Sequence, residues 1–279
     1  PSAMGAHQRD RVLPAYDALS PEDQRAFDAL LARHAGEPAV RDQLLRALTA
    51  GSSVDEIAWL AGELAGKDPA WIAANTRLTA ADAGPGVMQQ FQDSCAATTV
   101  QALRGEYDPV YALRTRQGNA DVTDAPADGN ATFAHEQRAI LETHGGVAVP
   151  RGERGGGGLG DGPWLDALHG MNRHTGLRFE QVGGFDDPID PERAISLLEE
   201  HLGQGRVVPL GISDPIASGG HAIMATSVRR DAKGQPEFLI FDPWDGRSEW
   251  VAAERIRSQQ LNIAGWNLLD TVMVPRAGA

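Results

Sequence analysis

The hydrophobic period changes along this chain, and that change limits the fold more than any other feature. In the first eighty residues, apolar side chains recur at helical intervals: Val40, Leu44 and Leu48, then Ile57, Leu60, Ala61 and Leu64. Ser20-Pro21-Glu22-Asp23 supplies an N-cap, a proline at the first helical position and acids in the first turn. Ser53 and Glu56 have the spacing of a capping box. In the last third the period shortens. Segments 206–213, 221–229, 237–242, 248–251 and 271–274 are short and rich in Val, Ile, Phe or Trp, the pattern of an antiparallel meander or half-barrel. Helices followed by sheet predict an α+β fold, with a lobe of about three short helices over 1–80 and a larger unit over 81–279.

Between these ends the pattern predicts an extended loop over 81–94, a helix from 95 to 104 and a long loop over 105–131. A helix over 132–144, closed by Gly145-Gly146, comes next. Residues 151–162 are so rich in glycine that a mobile surface loop is expected there. No strand precedes that run and no Lys-Ser or Lys-Thr follows it, so it lacks the parts of a phosphate cradle. A helix over 163–175, a strand over 177–182 and a helix from Asp190-Pro191-Glu192 to about Leu202 complete the middle.

Charge and composition exclude some function classes. A formal net charge of −13 repels phosphate backbones and anionic lipid, so neither nucleic acid nor an acidic membrane surface is an expected partner. No run of apolar residues is long enough for a membrane-spanning helix, and the first residues carry no charged-then-apolar leader pattern. Positive charge is almost all arginine, with Lys67 and Lys233 the two lysines; with abundant Ala and Gly, this composition suggests a bacterial gene.

Cys95 is the single cysteine, so neither an intrachain disulfide nor a multi-cysteine zinc site can form. A lone cysteine is ordinarily a small buried hydrophobe. Here polar Gln92-Asp93-Ser94 precedes it and Ala96-Ala97-Thr98-Thr99-Val100 can propagate a helix. Cys95 would then sit at a helix N-terminus, where backbone N–H groups and the helix dipole favour a thiolate. His221 follows Gly219-Gly220 and opens an apolar strand, where a histidine is either structural or turned toward a cleft. A turn near residue 233 returns the chain, so residue 221 should pair with about residue 245, within reach of Asp242. A carboxylate there can orient the imidazole and stabilise its charged form; Asp245 and Asp214 are less favoured substitutes. Gln89, Gln90 and Gln92 lie just upstream of Cys95 as candidate oxyanion donors, with the Cys95 N–H as another.

These residues carry a resemblance. Gln89 precedes Cys95 by six positions, and Gln89-Gln90-Phe91-Gln92-Asp93-Ser94-Cys95 resembles the glutamine-then-Asp-x-Cys pattern of papain-like peptidases, in particular the double-glycine leader peptidases and bacterial papain-like effector or toxin domains. Gly220-His221-Ala222 and Phe241-Asp242-Pro243 stand where that family places its histidine and its Asp-Pro pair, 21 residues apart. Ala96 stands where the leader peptidases usually have glycine, and the stretch from Cys95 to His221 is long. The resemblance covers roughly residues 85–275. It implies a papain-like fold and a thiol hydrolase acting on peptide, isopeptide or side-chain amide bonds. Cys95 would be the nucleophile, His221 the base, Asp242 its orienter and Gln89 the oxyanion donor, with no cofactor. A glutamine deamidase or transamidase uses the same chemistry, and a non-catalytic binding module would keep only the fold. Delivery to a target cell by a route without a signal peptide, and an immunity protein or secretion partner, are the matching expectations.

His135 with His144, and His169 with His174, lack the i, i+4 spacing of a zinc helix, so no metal site is expected. The tryptophans read as core or cleft anchors; Trp244, two places after Asp242, is a candidate cleft wall.

Overall fold

A computed structural model of the chain describes residues 4–79, 88–117, 131–154, 156–214 and 219–277. Among these, the N-terminal part holds six helices: α1 (Ala6–Asp10), α2 (Val12–Asp17), α3 (Pro21–Arg33), α4 (Pro38–Thr49), α5 (Val54–Leu64) and α6 (Pro69–Asn75). The three expected helices correspond to α3, α4 and α5. The Ser20 side chain caps α3 by accepting the Asp23 N–H, and Ser53 and Glu56 form the reciprocal capping box of α5. The other three are short. α2 buries no residue, so it has no apolar stripe to read, whereas α6 is started by Asp68, which accepts the N–H groups of Ala70 and Trp71.

The core of this lobe is built on Phe27, Val40, Leu44, Ile57, Leu60, Leu64 and Ile72. It does not close within residues 1–80. Val110 and Leu113, from a helix beyond that boundary, complete it. Arg46 of α4 is fully buried and donates to Gln43 Oε1 at 2.6 Å and to the Glu106 carbonyl at 2.6 Å.

The expected long loop over 105–131 is a correction. Helix α7 (Cys95–Tyr107) continues past residue 104, and α8 (Pro109–Gln117) follows at once; residues 118–130 lie outside the described residues. The residue before a proline is driven out of the helical region, and Asp108 is indeed extended at φ −112° and ψ 94°. Pro109 then opens the new helix, and Asp108 Oδ1 accepts the Tyr111 N–H at 3.0 Å. Asp-Pro is here a helix break and restart. α9 (Ala131–Thr143) ends before Gly145, which adopts φ 84°.

The described part of the glycine-rich stretch is packed instead of standing free. Val147 bridges Gly157, and a Cβ at Gly158 would lie 2.9 Å from the Asp93 carbonyl oxygen. Glycine permits that close approach of two backbones. The expected helix over 163–175 divides into α10 (Asp161–Gly170) and α11 (Asn172–Thr175).

The sheet has six strands: β1 (Leu177–Gly183), β2 (Val208–Ser213), β3 (Gly220–Arg230), β4 (Pro236–Asp242), β5 (Arg247–Ala252) and β6 (Leu268–Ala277). All neighbours pair antiparallel, in the order β1-β6-β2-β3-β4-β5. The expected meander holds for β2 to β5 only. β6 returns to lie between β1 and β2, a long-range pairing that local periodicity does not encode. Helices α7 and α10 pack on one face over Ala222, Met224, Phe241 and Met273. Helices α12 (Pro191–Gly203) and α13 (Ala253–Arg257) cover the other, over Leu210, Ile223, Phe238 and Val272. α7 is buried on nearly every side from Ala96 onward, between the sheet and the neighbouring helices, and its first residue stays partly exposed. Among the described residues, no helix is long and apolar enough to cross a membrane.

Candidate active site

Cys95 is the first residue of α7 and is partly exposed. Ser94 precedes it, yet the Ser94 hydroxyl does not cap the helix. It donates to Gln137 Oε1 at 2.9 Å and accepts the Phe91 N–H at 3.2 Å. The unpaired N–H groups of the first turn, which a serine N-cap ordinarily takes, are therefore left to the cysteine end of the helix. The backbone N–H groups of Ala222, from β3, and of Ala96, from that turn, favour the charged form of the Cys95 thiol.

His221, second residue of β3 and 6 % exposed, lines the same cavity as Cys95. Its Nε2 lies 2.6 Å from Oδ1 of Asp242, the last residue of β4, which leaves Nδ1 as the ring nitrogen facing the thiol. The strand register explains the meeting. A bulge between Ala225 and Ser227 shifts the pairing so that Met224 opposes Phe241. Continued outward, that register places residue 221 opposite 244 and two places from Asp242, a diagonal neighbour within side-chain reach. Asp245 turns elsewhere and faces Arg247.

The charges reinforce one another. Burial pushes the Cys95 thiol up, but the hydrogen bond and positive charge of His221, with the two backbone N–H groups, outweigh it and hold the thiol below its ordinary value. Burial alone would lower His221, but hydrogen bonds and charge from Asp242 and Cys95 push it up to about 9. A lowered thiol beside a raised imidazole shifts the pair toward thiolate and imidazolium, the form in which a cysteine is nucleophilic.

Gln89 stands apart from the other three. It is 1 % exposed, and its Nε2 donates to the carbonyls of Phe91 at 3.2 Å and Gln92 at 2.8 Å. Its side chain thus braces the turn before Cys95 and does not border the cavity at the thiol. Its own N–H donates to the Pro243 carbonyl at 2.7 Å, tying that turn to the loop after Asp242. Gln90 and Gln92 are structural too: the Gln90 N–H meets Gln137 Oε1, and Gln92 Oε1 accepts the Gly152 N–H. Trp244 is 41 % exposed under the Arg151 guanidinium and does not wall this cavity.

An open cavity of about 410 Å³ lies over Cys95 and His221. Leu159, Trp164 and Phe185 give it apolar sides, and Asp161 and Asp270 bring carboxylates. Sequence reasoning had Trp164 among the core or cleft anchors and missed the other four. The one local signal was Asp270, an acid inside the apolar run Leu268-Leu269-Asp270-Thr271-Val272. No group of three or more His, Cys, Asp or Glu suited to a metal occurs among the described residues.

The structure is one of helices packed on an antiparallel sheet, with a cysteine at a helix start sharing a cavity with a strand histidine that is hydrogen-bonded to an aspartate. Neither a protein-family model nor a curated protein matches the sequence. Among solved structures, the proform of the Amb a 11 cysteine protease, a major ragweed pollen allergen, is similar at 11 % identity and a TM-score of 0.25, over 89 % of this chain and 93 % of that one. A TM-score of that size does not by itself establish a shared fold.

Proposed function

We propose that the chain is a papain-like thiol hydrolase of amide bonds, with Cys95 as nucleophile, His221 as acid–base and Asp242 as the group that orients and charges the imidazole. The observation that carries this reading is the meeting of Cys95 and His221 at one cavity, with the imidazole hydrogen-bonded on its far side to Asp242. The thiolate attacks the carbonyl carbon, and the negative charge moves to the oxygen. Imidazolium then protonates the leaving nitrogen, the C–N bond breaks and a thioester remains. Neutral His221 next takes a proton from water, hydroxide adds to the thioester, and the acid leaves with the thiolate restored.

The oxyanion falls beside the start of α7, where the Cys95 N–H has no backbone acceptor among the described residues. Gln89 becomes a second donor only by turning its carboxamide away from the Phe91 and Gln92 carbonyls. A role as a delivered bacterial effector or toxin belongs to the same proposal.

The test is to treat a proteome with the native chain and with Cys95→Ala, and read both by mass spectrometry. New chain termini made only by the native protein support peptide hydrolysis. Glutamate in place of glutamine without cutting assigns a deamidase. Identical proteomes from the two proteins would leave a binding module and overturn the hydrolase reading.

A further inference from the structure

The cavity beside Cys95 holds a carboxylate that the fold does not neutralise. Asp270 on β6 is 4 % exposed and lines the cavity. The single hydrogen bond to its carboxylate among the described residues comes from Thr271 Oγ1, on Oδ1 at 2.7 Å. No lysine, arginine or histidine forms an ion pair with it among the described residues. A buried carboxylate with no cation is costly to keep charged, and its second oxygen is left for a ligand.

The backbone is arranged to put it there. Gly211 of β2 pairs with Thr271 of β6, but the next residue, Ile212, pairs with Leu269. Asp270 is therefore the extra residue of a bulge, a device that re-aims one side chain. Gly211 gives it room: a Cβ there would stand 2.9 Å from Asp270 Oδ1. Across the cavity, Asp161 accepts Gln181 Nε2 at 2.7 Å. Burial and the charge of Asp270 push the Asp161 carboxyl up, so the two acids feel each other without an intervening cation.

The remaining walls complete the fit. Leu159, Trp164 and the 49 % exposed Phe185 give the same cavity apolar sides. A cavity lined by both apolar side chains and carboxylates matches a side chain with an aliphatic stem and a charged head. Resting on the hydrolase reading above, we infer that this cavity takes the side chain of an arginine or lysine adjoining the amide that Cys95 attacks. Asp270 is the primary ionic partner and Asp161 the second. The net charge of −13 draws such cationic peptides toward the protein before they dock.

Three methanethiosulfonates carrying a positive, no and a negative charge test this without requiring peptide cleavage. In each, the Cys95 thiolate attacks the sulfenyl sulfur, methanesulfinate leaves with the electron pair, and a mixed disulfide forms. For the native chain the aminoethyl reagent should react faster than the neutral methyl reagent, and the anionic sulfonatoethyl reagent slower. Asp270→Asn should reduce the cationic-to-neutral rate ratio about tenfold, the scale of one charge–charge interaction near a protein surface. Asp161→Asn should reduce it less. Glu22→Gln, the same charge change on an exposed helix start, should leave the ratio alone.

Equal rates for the three reagents, or a preference that survives in Asp270→Asn, would overturn the cationic subsite. The hydrolase reading fails separately, through unchanged proteomes. Charge selectivity with unchanged proteomes would retain the subsite and remove the hydrolase. Fluorogenic peptide amides then give the positive result: Arg or Lys beside the scissile bond cleaved faster than Leu or Glu, with the order levelled in Asp270→Asn.

Discussion

Oδ1 of Asp242 lies 2.6 Å from Nε2 of His221 and, at 2.8 Å, also accepts the backbone N–H of Trp244. The carboxylate is held by its own turn before it holds the imidazole, so the ring is positioned by backbone geometry through one intervening side chain. Burial opposes charge on His221, and Asp242 is the first of the groups that overcome it.

Asp242→Asn keeps an oxygen for the Trp244 N–H but removes the negative charge. The imidazole then falls from about 9 toward neutrality, and the charged pair with Cys95 weakens. Iodoacetamide labelling of Cys95 at pH 7 should slow about tenfold or more. An unchanged labelling profile against pH would mean that another group charges His221.

In the native chain the labelling midpoint should lie below the ordinary thiol value of about 8.5. In His221→Ala the largest influence on Cys95, its burial, is no longer offset by the imidazolium, so the midpoint should rise above the native one. Mass spectrometry of the single alkylated cysteine measures both. A native midpoint at or above the ordinary value would disprove the thiolate.

Stability should depend on pH through the same pair. The folded value of His221 is raised, so its contribution is complete below the ordinary histidine value of about 6.5 and is lost as pH rises through about 9. Cys95 is shifted the other way, so its contribution is present above the ordinary thiol value and is lost as pH falls through its lowered one. Because the two oppose each other, the His221 contribution is read in a Cys95→Ala background, where its advantage over His221→Asn, on the order of 1–3 kcal/mol at neutral pH, should shrink between pH 7 and pH 10. Urea unfolding at several pH values measures it; a constant gap would contradict the raised imidazole.

Arg46 joins the helical lobe to α7. Burial first, and then Arg77, push its guanidinium down to about 9, while Glu106 and Asp108 oppose them. Arg46→Ala opens a cavity and leaves the Glu106 carbonyl without this donor, so it should cost about 3–5 kcal/mol by denaturant unfolding. Arg46→Met, which fills the space without a charge, should cost less. If Met proves as damaging as Ala, the hydrogen bonds matter more than the packing.

The helices with an apolar stripe or a capping residue were legible from local sequence: α3, α4, α5 and α12 begin at Pro21, Pro38, Val54 and Pro191. Asp108-Pro109 misled, because the same dipeptide ends a helix and starts another, and local composition cannot separate that from a loop. The glycines at 156–158 misled for a related reason. A glycine run reads as entropy until a neighbouring backbone is found lying against it, as Asp93 lies against Gly158.

Cys95, His221 and Asp242 could be named from sequence because each sits at an element boundary with a recognisable flank: a helix start, a strand opened by glycines and the end of the returning strand. Their chemistry follows from residue type and local backbone, both of which are written along the chain. Gln89 shared the same flank, but the direction of its amide depends on which carbonyls close around it. Asp270 and Asp161 are 109 residues apart in sequence, and only the insertion of β6 beside β2 brings them to one cavity. Sequence determined which side chains can react and which segments are helix or strand. The tertiary structure decided which of them share a cavity, because strand order and a one-residue bulge depend on pairing energies between distant segments that no local window contains.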